Sequence, residues 1–215
     1  MTEPDFLTRT RSSYDDLADY YVDWIQGELA AKPLDRAMLA AFAELVAGPV
    51  ADIGCGPGRV TAHLCDLGLS AFGIDLSPRM IAIARRMYPG LRFDVGSMTA
   101  LDIADGELGG IVAWYSIIHV PSDQLPTVFA EFHRVLAPGG HLLVAFQVGG
   151  RIDHRTEAAG HAVSLDFHRR QPDHVSESLR AAGLVERARM VRQPDQDGSF
   201  PERTTQGYLL ARKPA

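Results

Sequence analysis

The sequence is poor in three features: cysteine, basic charge and long apolar runs. Only Cys55 and Cys65 are cysteines among 215 residues, which is too few for a disulfide framework, so we expect a reducing, cytoplasmic setting. The longest apolar stretches, such as 111–115 and 142–146, are too short to span a bilayer. The N-terminus has no signal-peptide pattern. We therefore expect no membrane partner.

The charge balance is acidic, with 21 basic residues against 27 acidic ones and a formal net charge of −6. A protein that binds phosphate backbones usually carries a basic excess or a basic stripe, so nucleic acid is not expected as a partner. Hydrophobic residues make up 46% of the chain, which is ordinary for a globular protein. The length predicts a single domain over residues 1–215.

The distribution of apolar and polar residues divides the chain into four segments. Leu17, Tyr20, Tyr21, Trp24 and Ile25 share one helical face, which predicts a first helix with Ser13 as its cap. With a second helix at 35–47, they form a helical cap over residues 1–48.

The other three segments follow this cap. Strands and helices alternate over 49–148, which predicts a parallel sheet covered on both faces. Residues 149–170 are expected to be a loop, 149–160, followed by a half-buried strand, 162–168, which borders the substrate site. A last helix and two strands are expected over 171–215.

A glycine-rich turn at 50–59, VADIGCGPGR, is the most informative segment. A strand that runs through glycines into a helix brings backbone N–H groups against a polar or anionic ligand. Side chains at Gly54 and Gly56 would block that approach. Asp75 ends the next strand, where a carboxylate usually binds ribose hydroxyls. A nicotinamide-binding turn, G-x-G-x-x-G, would need its third glycine at Arg59, so that cofactor class is disfavoured.

Four motifs in order resemble those of class I S-adenosylmethionine (SAM)-dependent methyltransferases of the small single-domain type: DIGCGPGR, GIDLSPRM, GGIVAWYSIIH and LAPGGHLLVAF. The resemblance covers residues 50 to about 146. It implies an α/β fold, with a Rossmann-like, doubly wound sheet of seven strands. The sheet would be mostly parallel, with an antiparallel C-terminal strand and helices on both faces. It also implies SAM as the cofactor.

The resemblance further implies a set of cofactor-binding residues on strand ends, turns and the first helix: Asp52, Gly54, Gly56, Arg59, Asp75, Leu76, Met80, Ser97, Met98, Trp114, Tyr14 and Tyr20. Many relatives have an acidic residue where this chain has Ser97, so adenine contact is expected to depend more on the backbone of residues 97–98. Structural roles remain open for three of the set. Asp52 can simply stabilise the turn, and Trp114 can simply pack in the core. Tyr20 belongs to the apolar stripe of the first helix, so a core position is favoured for it over cofactor contact.

Two residues are candidates for proton chemistry. His119 follows the fourth strand and titrates near neutral pH, so it is the first candidate for a base, and Tyr115 is the second. A purely structural histidine is the alternative for His119. Relatives that bind magnesium use acidic residues after the fourth strand, where this chain has Trp114, Tyr115 and Ser116, so no metal is expected.

These patterns predict a methyltransferase that acts on a small-molecule acceptor, with an oxygen or nitrogen nucleophile, by in-line displacement. Two alternatives stay open: an NAD(P)-dependent oxidoreductase and a SAM-binding protein without catalytic activity. Nothing in the sequence indicates an oligomeric state.

Overall fold

A computed structural model describes residues 4–215. The helices are α1 (Asp5–Ile25), α2 (Glu28–Ala31), α3 (Pro33–Leu45), α4 (Arg59–Asp66), α5 (Pro78–Met87), α6 (Leu125–Val135) and α7 (Pro172–Ala181). The strands are β1 (Val50–Ile53), β2 (Ala71–Asp75), β3 (Phe93–Val95), β4 (Leu108–Trp114), β5 (Leu136–Gln147), β6 (Ile152–Ala158), β7 (His161–His168), β8 (Val185–Arg192) and β9 (Gln206–Arg212). A single 3₁₀ turn, Ile117–His119, follows β4.

Seven strands form the central sheet, in the order β3-β2-β1-β4-β5-β9-β8. The five strands from β3 to β5 are parallel, and β9 pairs antiparallel with both β5 and β8. The prediction of a Rossmann-like, mostly parallel seven-stranded sheet is confirmed. Within the described residues, no helix is long and apolar enough to cross a membrane.

The centre of the sheet is β4, whose seven residues are all buried. Strands covered on both faces are apolar throughout, because neither face meets water. Helix α6 lays one apolar stripe over the sheet, which includes Val128, Phe129 and Phe132, all fully buried. Helix α5 begins at the expected signal. The Ser77 hydroxyl accepts a hydrogen bond from the Met80 backbone N–H at 3.0 Å, and Pro78 occupies the first helical position.

The structure corrects the expected start of the first helix. Helix α1 begins at Asp5, two turns before Ser13, so Ser13 does not cap it. Ser13 is instead buried in mid-helix, and its hydroxyl accepts a hydrogen bond from the backbone N–H of Ser164 at 2.9 Å. The short helix α2 was also not predicted, since its four residues show no clear periodicity.

The expectation of a loop at 149–160 was wrong, because β6 lies there and pairs antiparallel with β7. Every residue of β6 is exposed or half-buried, so no apolar alternation marks it as a strand. Instead, β6 is held in a strand conformation by its backbone pairing with β7. This β6–β7 hairpin packs on α1 through Leu17, Val163 and Leu165, and so braces the helix that covers the functional site.

Candidate functional site

A cleft opens at the carboxyl ends of β1, β2 and β4, beneath α1, and its empty volume is about 790 Å³, part of it open to solvent. Crevices at this edge of open α/β sheets are where ligands bind. The cleft is lined by most of the predicted site residues: Tyr14, Gly54, Gly56, Asp75, Leu76, Met80, Ser97, Met98, Trp114, Tyr115 and His119.

The glycine turn is shaped by the protein's own packing as well as by ligand access. Gly54 has a φ of +77°, and a Cβ built there would lie 2.2 Å from the Cβ of Ser116. Its N–H donates to the Ile74 carbonyl at 2.7 Å, which ties the turn to β2. Glycine is therefore required at this position even before a ligand enters. The Gly56 N–H, in contrast, is directed at a side chain that lines the cleft.

That side chain is Asp75, which ends β2. Its Oδ2 accepts from the Gly56 N–H and its Oδ1 accepts from the Ser77 N–H, both at 2.8 Å. Burial raises the pKa of Asp75, while these two backbone donors oppose the rise. Each carboxylate oxygen can accept more than one hydrogen bond, so Asp75 is held rigidly and can still accept from ligand hydroxyls in the cleft.

Beside Asp75, the cleft has a flat apolar end formed by Leu76, Met80 and Met98, with Ser97 at its edge. The Ser97 hydroxyl already forms a 2.8 Å hydrogen bond with the Thr99 hydroxyl. Its side chain is therefore partly engaged within its own loop. This end of the cleft suits an aromatic ring system such as adenine, whose faces are apolar and whose edge is polar.

A second cavity of about 280 Å³ adjoins the cleft at Gly54, Gly56, Trp114 and Tyr21. Asp52 is fully buried there, and its Oδ2 accepts from the Thr61 hydroxyl at 2.7 Å while its Oδ1 has no partner. Burial raises the pKa of Asp52 to about 7. A buried polar atom without a partner is costly and calls for an explanation.

Arg59 brings a second unpartnered atom to the same cavity. Its Nη2 forms an ion pair with Glu28 Oε2 at 2.8 Å, whereas its Nη1 is buried without a partner. The second cavity thus presents one unused carboxylate oxygen, on Asp52, and one unused guanidinium N–H. An α-amino acid carries the complementary pair of charges on its ammonium and carboxylate, so these residues fit the amino-acid end of SAM.

Aromatic rings line the junction of the two cavities. Trp114 faces both, and its ring centroid lies 5.8 Å from that of Tyr115 and 5.4 Å from that of Tyr208. Tyr115 has a φ of +54°, a strained backbone value at the turn that follows β4. Its hydroxyl lies 2.9 Å from that of Tyr208, which donates in turn to Asp35. Burial raises the pKa of Tyr115 well above its usual value, so this hydroxyl keeps its proton near neutral pH and does not act as a base.

His119 also lines the cleft, and both of its ring nitrogens form hydrogen bonds. Nε2 lies 2.7 Å from the Tyr14 hydroxyl and Nδ1 lies 3.0 Å from the Asp166 backbone carbonyl. Because the carbonyl can only accept, Nδ1 carries the proton and Nε2 accepts from Tyr14. Burial lowers the pKa of His119 to about 4. His119 is therefore a neutral acceptor that fixes Tyr14.

Tyr20 is the one predicted site residue that the structure places elsewhere. Its side chain is 48% exposed on the outer face of α1 and lines neither cavity. Tyr21, one residue on, lines both. The signal was present in the sequence, because Tyr21 lies seven residues after Tyr14 and so shares its helical face, whereas Tyr20 is rotated by about 100°.

Sequence reasoning also missed part of the cleft wall. The first turns of α1 contribute Phe6, Leu7, Thr10 and Arg11, and Ser116 and Val120 follow β4. Of the described residues that line the cleft, none comes from β6 or β7. In residues 4–215, no three His, Cys, Asp or Glu side chains are grouped to hold a metal ion. The expected absence of a metal stays a prediction.

The fold and the site together define a Rossmann-like α/β domain with a cleft at the carboxyl edge of its sheet. Comparison with known families extends this: the methyltransferase-domain family model matches residues 50–140. Residues 50–140 therefore match a methyltransferase domain, which confirms the resemblance in the motifs.

Among curated relatives, the chain is 35% identical over 92 residues to a demethylmenaquinone methyltransferase of Chlorobaculum parvum. That match covers 42% of this chain and only 37% of the relative. A second demethylmenaquinone methyltransferase, of Renibacterium salmoninarum, is 29% identical over 51% of this chain and 46% of its own length. The chain thus spans less than half the length of either relative.

Solved structures match over nearly the whole chain. A 1,6-didemethyltoxoflavin N1-methyltransferase of Burkholderia thailandensis, with its substrate and S-adenosylhomocysteine (SAH) bound, gives a TM-score of 0.73 at 21% identity. It covers 100% of this chain and 92% of that one. The DhpI–SAH complex gives a TM-score of 0.74 at 22% identity, with 99% of each chain covered. At these identities the likeness shows the fold.

Proposed function

We propose that this protein transfers a methyl group from SAM to a small-molecule acceptor. The observation that carries the proposal is the pair of adjoining cavities. One is lined by Asp75 and the flat apolar end, and the other holds the unpartnered Asp52 and Arg59 atoms. Together they offer a place for each part of the cofactor: ribose, adenine and amino acid.

Each part has a proposed binding residue. Asp75 accepts hydrogen bonds from the ribose hydroxyls, and Leu76, Met80 and the backbone of residues 97–98 surround the adenine. Asp52 and Arg59 hold the ammonium and carboxylate in the second cavity. Trp114 provides an electron-rich face at the junction, where a sulfonium is stabilised by a cation–π interaction. When bound, SAM supplies an electrophilic methyl group for in-line displacement.

The acceptor is proposed to enter at the end of the cleft that holds Tyr14 and His119. Tyr14 donates a hydrogen bond to His119 Nε2, so the lone pairs of the Tyr14 oxygen remain free to accept a hydrogen bond from an O–H or N–H of the methyl acceptor. Such a bond would aim the lone pair of the nucleophile along the cleft, and fixed orientation is a large part of the catalysis of displacement reactions. We propose an oxygen or nitrogen nucleophile on this basis.

His119 is proposed to position Tyr14 rather than to remove a proton. With a pKa of about 4, its imidazole does not take up a second proton near neutral pH. Tyr115 is equally unsuited to act as a base, since its hydroxyl is engaged with Tyr208. Both residues therefore shape the cleft without acting as a base. The nucleophile would attack the methyl carbon through its lone pair as the carbon–sulfur bond breaks, and the proton of the acceptor O–H or N–H would then pass to water, since part of the cleft is open to solvent.

Related proteins support a small acceptor. The toxoflavin-pathway enzyme is named for a methyl transfer to N1 of a small heterocycle, and the curated relatives are named for demethylmenaquinone. We further propose that the chain is one domain whose N-terminal helices act as a cap, and the contacts of α1 with the cleft and with the β6–β7 hairpin support this. Both cysteines are free, in agreement with the proposed cytoplasmic location.

The proposal is tested by isothermal titration of the purified protein with SAH and SAM, with NAD and NADP as controls. Micromolar binding of the adenosyl ligands alone supports the proposal. Binding of NAD alone would overturn it in favour of an oxidoreductase. A protein that binds SAH, yet methylates nothing in a panel of small phenols, amines and heterocycles, would point to the SAM-binding alternative without catalysis.

A further inference from the structure

The orientation of Arg59 in the second cavity depends on a residue that no sequence motif marks. Glu28 lies at the start of α2, directly after Gly27, whose φ of +80° turns the chain between α1 and α2. This turn brings the Glu28 carboxylate to 2.8 Å from Arg59 Nη2. The Glu28 and Arg59 side chains are 26% and 19% exposed, so the ion pair is largely shielded from water.

The ion pair leaves one direction for the rest of the guanidinium. The group is planar and rigid, so an anchored Nη2 fixes where Nη1 points. Nη1 is the buried donor that has no hydrogen-bond partner among the residues that the structure describes. Tyr21 and Ile25 of α1 also line this cavity, so the α1–α2 junction closes around Arg59 from two sides. Without Glu28, the long arginine side chain would lose its fixed geometry.

We propose that Glu28 is a specificity-determining residue. By pairing with Arg59 Nη2, it holds Nη1 toward the second cavity and makes the site selective for a ligand with a complete α-amino-acid tail. This inference rests on the proposed function. Arg59 binds the carboxylate of the tail, Asp52 binds the ammonium, and Glu28 acts only through Arg59.

Selectivity follows from the cost of leaving buried charges unpaired. A ligand without the carboxylate leaves Arg59 Nη1 unsatisfied, and a ligand without the whole tail also leaves Asp52 Oδ1 unsatisfied. A zwitterionic tail satisfies both atoms at once, with its carboxylate on Arg59 and its ammonium on Asp52. A tail bearing only an ammonium or only a carboxylate leaves one of the two atoms unpaired.

Three ligands separate the contributions: SAH, decarboxylated SAH, which keeps the ammonium but lacks the carboxylate, and methylthioadenosine, which lacks the tail. Affinities would be measured by isothermal titration for the wild type, Glu28→Gln, Arg59→Gln and the double variant. Asp23→Asn is the matched control, since it removes an exposed carboxylate from the C-terminal end of α1, close in sequence to Glu28.

We expect Glu28→Gln and Arg59→Gln each to weaken SAH binding by about tenfold or more. Binding of decarboxylated SAH and of methylthioadenosine should change by less than about twofold, because neither ligand carries the carboxylate. The double variant should lose no more than Arg59→Gln alone, because Glu28 acts through Arg59. Asp23→Asn should match the wild type for all three ligands.

An equal loss for all three ligands would assign Glu28 a purely structural role and overturn the inference. So would wild-type SAH affinity in Glu28→Gln, or fully additive losses in the double variant. Failure of the proposed function itself looks different, because the wild-type protein would then bind none of the three adenosyl ligands.

Discussion

The Tyr14 hydroxyl lies 2.7 Å from His119 Nε2, and this hydrogen bond joins the covering helix α1 to the turn after β4. The other side of His119 is fixed by the Asp166 carbonyl of the β6–β7 hairpin. Three separate parts of the chain thus meet at one imidazole. The bond sets the position of the Tyr14 oxygen, the polar atom proposed to meet the acceptor.

Removing the Tyr14 hydroxyl should leave a buried acceptor unpaired. We expect Tyr14→Phe to lower the free energy of unfolding by about 1–3 kcal/mol, because His119 Nε2 loses its only hydrogen-bond partner within residues 4–215. Chemical denaturation at neutral pH measures this change. Tyr20→Phe is the matched control, since Tyr20 is exposed and should change stability by less than about 0.5 kcal/mol. Equal stability of the two variants would contradict the hydrogen bond.

His119 should contribute a distinctive loss of stability in acid. Its pKa is about 4 in the folded protein and about 6.5 in the unfolded chain. Because the folded pKa is the lower one, the stabilisation of the folded protein by neutral His119 is fully present above pH 6.5 and is lost as the pH falls toward 4. Between about pH 7.5 and pH 5, the wild type should lose about 2 kcal/mol relative to His119→Gln. Parallel pH profiles for the two proteins would show that His119 titrates normally.

Asp52 should make the folded protein less stable as the pH rises, which is the opposite of the pH dependence expected for His119. Its folded pKa of about 7 exceeds the unfolded value, so its ionisation costs stability as the pH rises from about 4 to above 7. Asp52→Asn should therefore stabilise the ligand-free protein by a few kcal/mol at about pH 8, and much less at about pH 4.5. The same variant should weaken SAH binding about tenfold or more, because the ammonium loses its carboxylate partner. Thermal unfolding at both pH values and titration with SAH test the two effects.

A gain in stability without a loss of SAH affinity would remove Asp52 from the binding site. A loss of stability at both pH values would instead mean that Asp52 has a structural role in the turn, through Thr61.

Gly54 should be intolerant of any side chain. Gly54→Ala places a Cβ 2.2 Å from the Ser116 Cβ at a φ of +77°, so we expect a loss of about 3 kcal/mol or more in unfolding free energy. Ser116→Gly in the same chain should recover part of that loss. Gly90→Ala serves as control, since nothing lies within 4 Å of a Cβ there. If Ser116→Gly recovers nothing, the backbone angle rather than the contact limits this position.

Much of the fold could be predicted because the core is periodic and its turns carry strong signals. The apolar β4 and the Ser77–Pro78 start of α5 are local features, readable without tertiary context. Strand β6 could not be read, since it is exposed and exists through its pairing with β7. The early start of α1 at Asp5 was missed for a similar reason, because Ser13 resembles a cap but serves the hairpin.

The candidate site likewise contains residues that the sequence could locate and residues that it could not. Residues fixed by the backbone at strand ends, such as Asp75 and Trp114, could be located from the motifs. Those that depend on how α1 lies over the sheet could not, which explains the choice of Tyr20 over Tyr21. The Glu28–Arg59 ion pair joins residues 31 positions apart and required the structure. Likewise, the low pKa of His119 follows from burial that the sequence does not display.

The most direct test of the account is a crystal structure of the protein with SAH. We expect the ribose hydroxyls on Asp75, the adenine between Leu76 and Met98, and the amino-acid tail between Asp52 and Arg59. The sulfur should then lie beside Trp114 and face the end of the cleft that holds Tyr14 and His119. A tail directed away from the second cavity, or SAH bound outside the cleft beneath α1, would contradict the account.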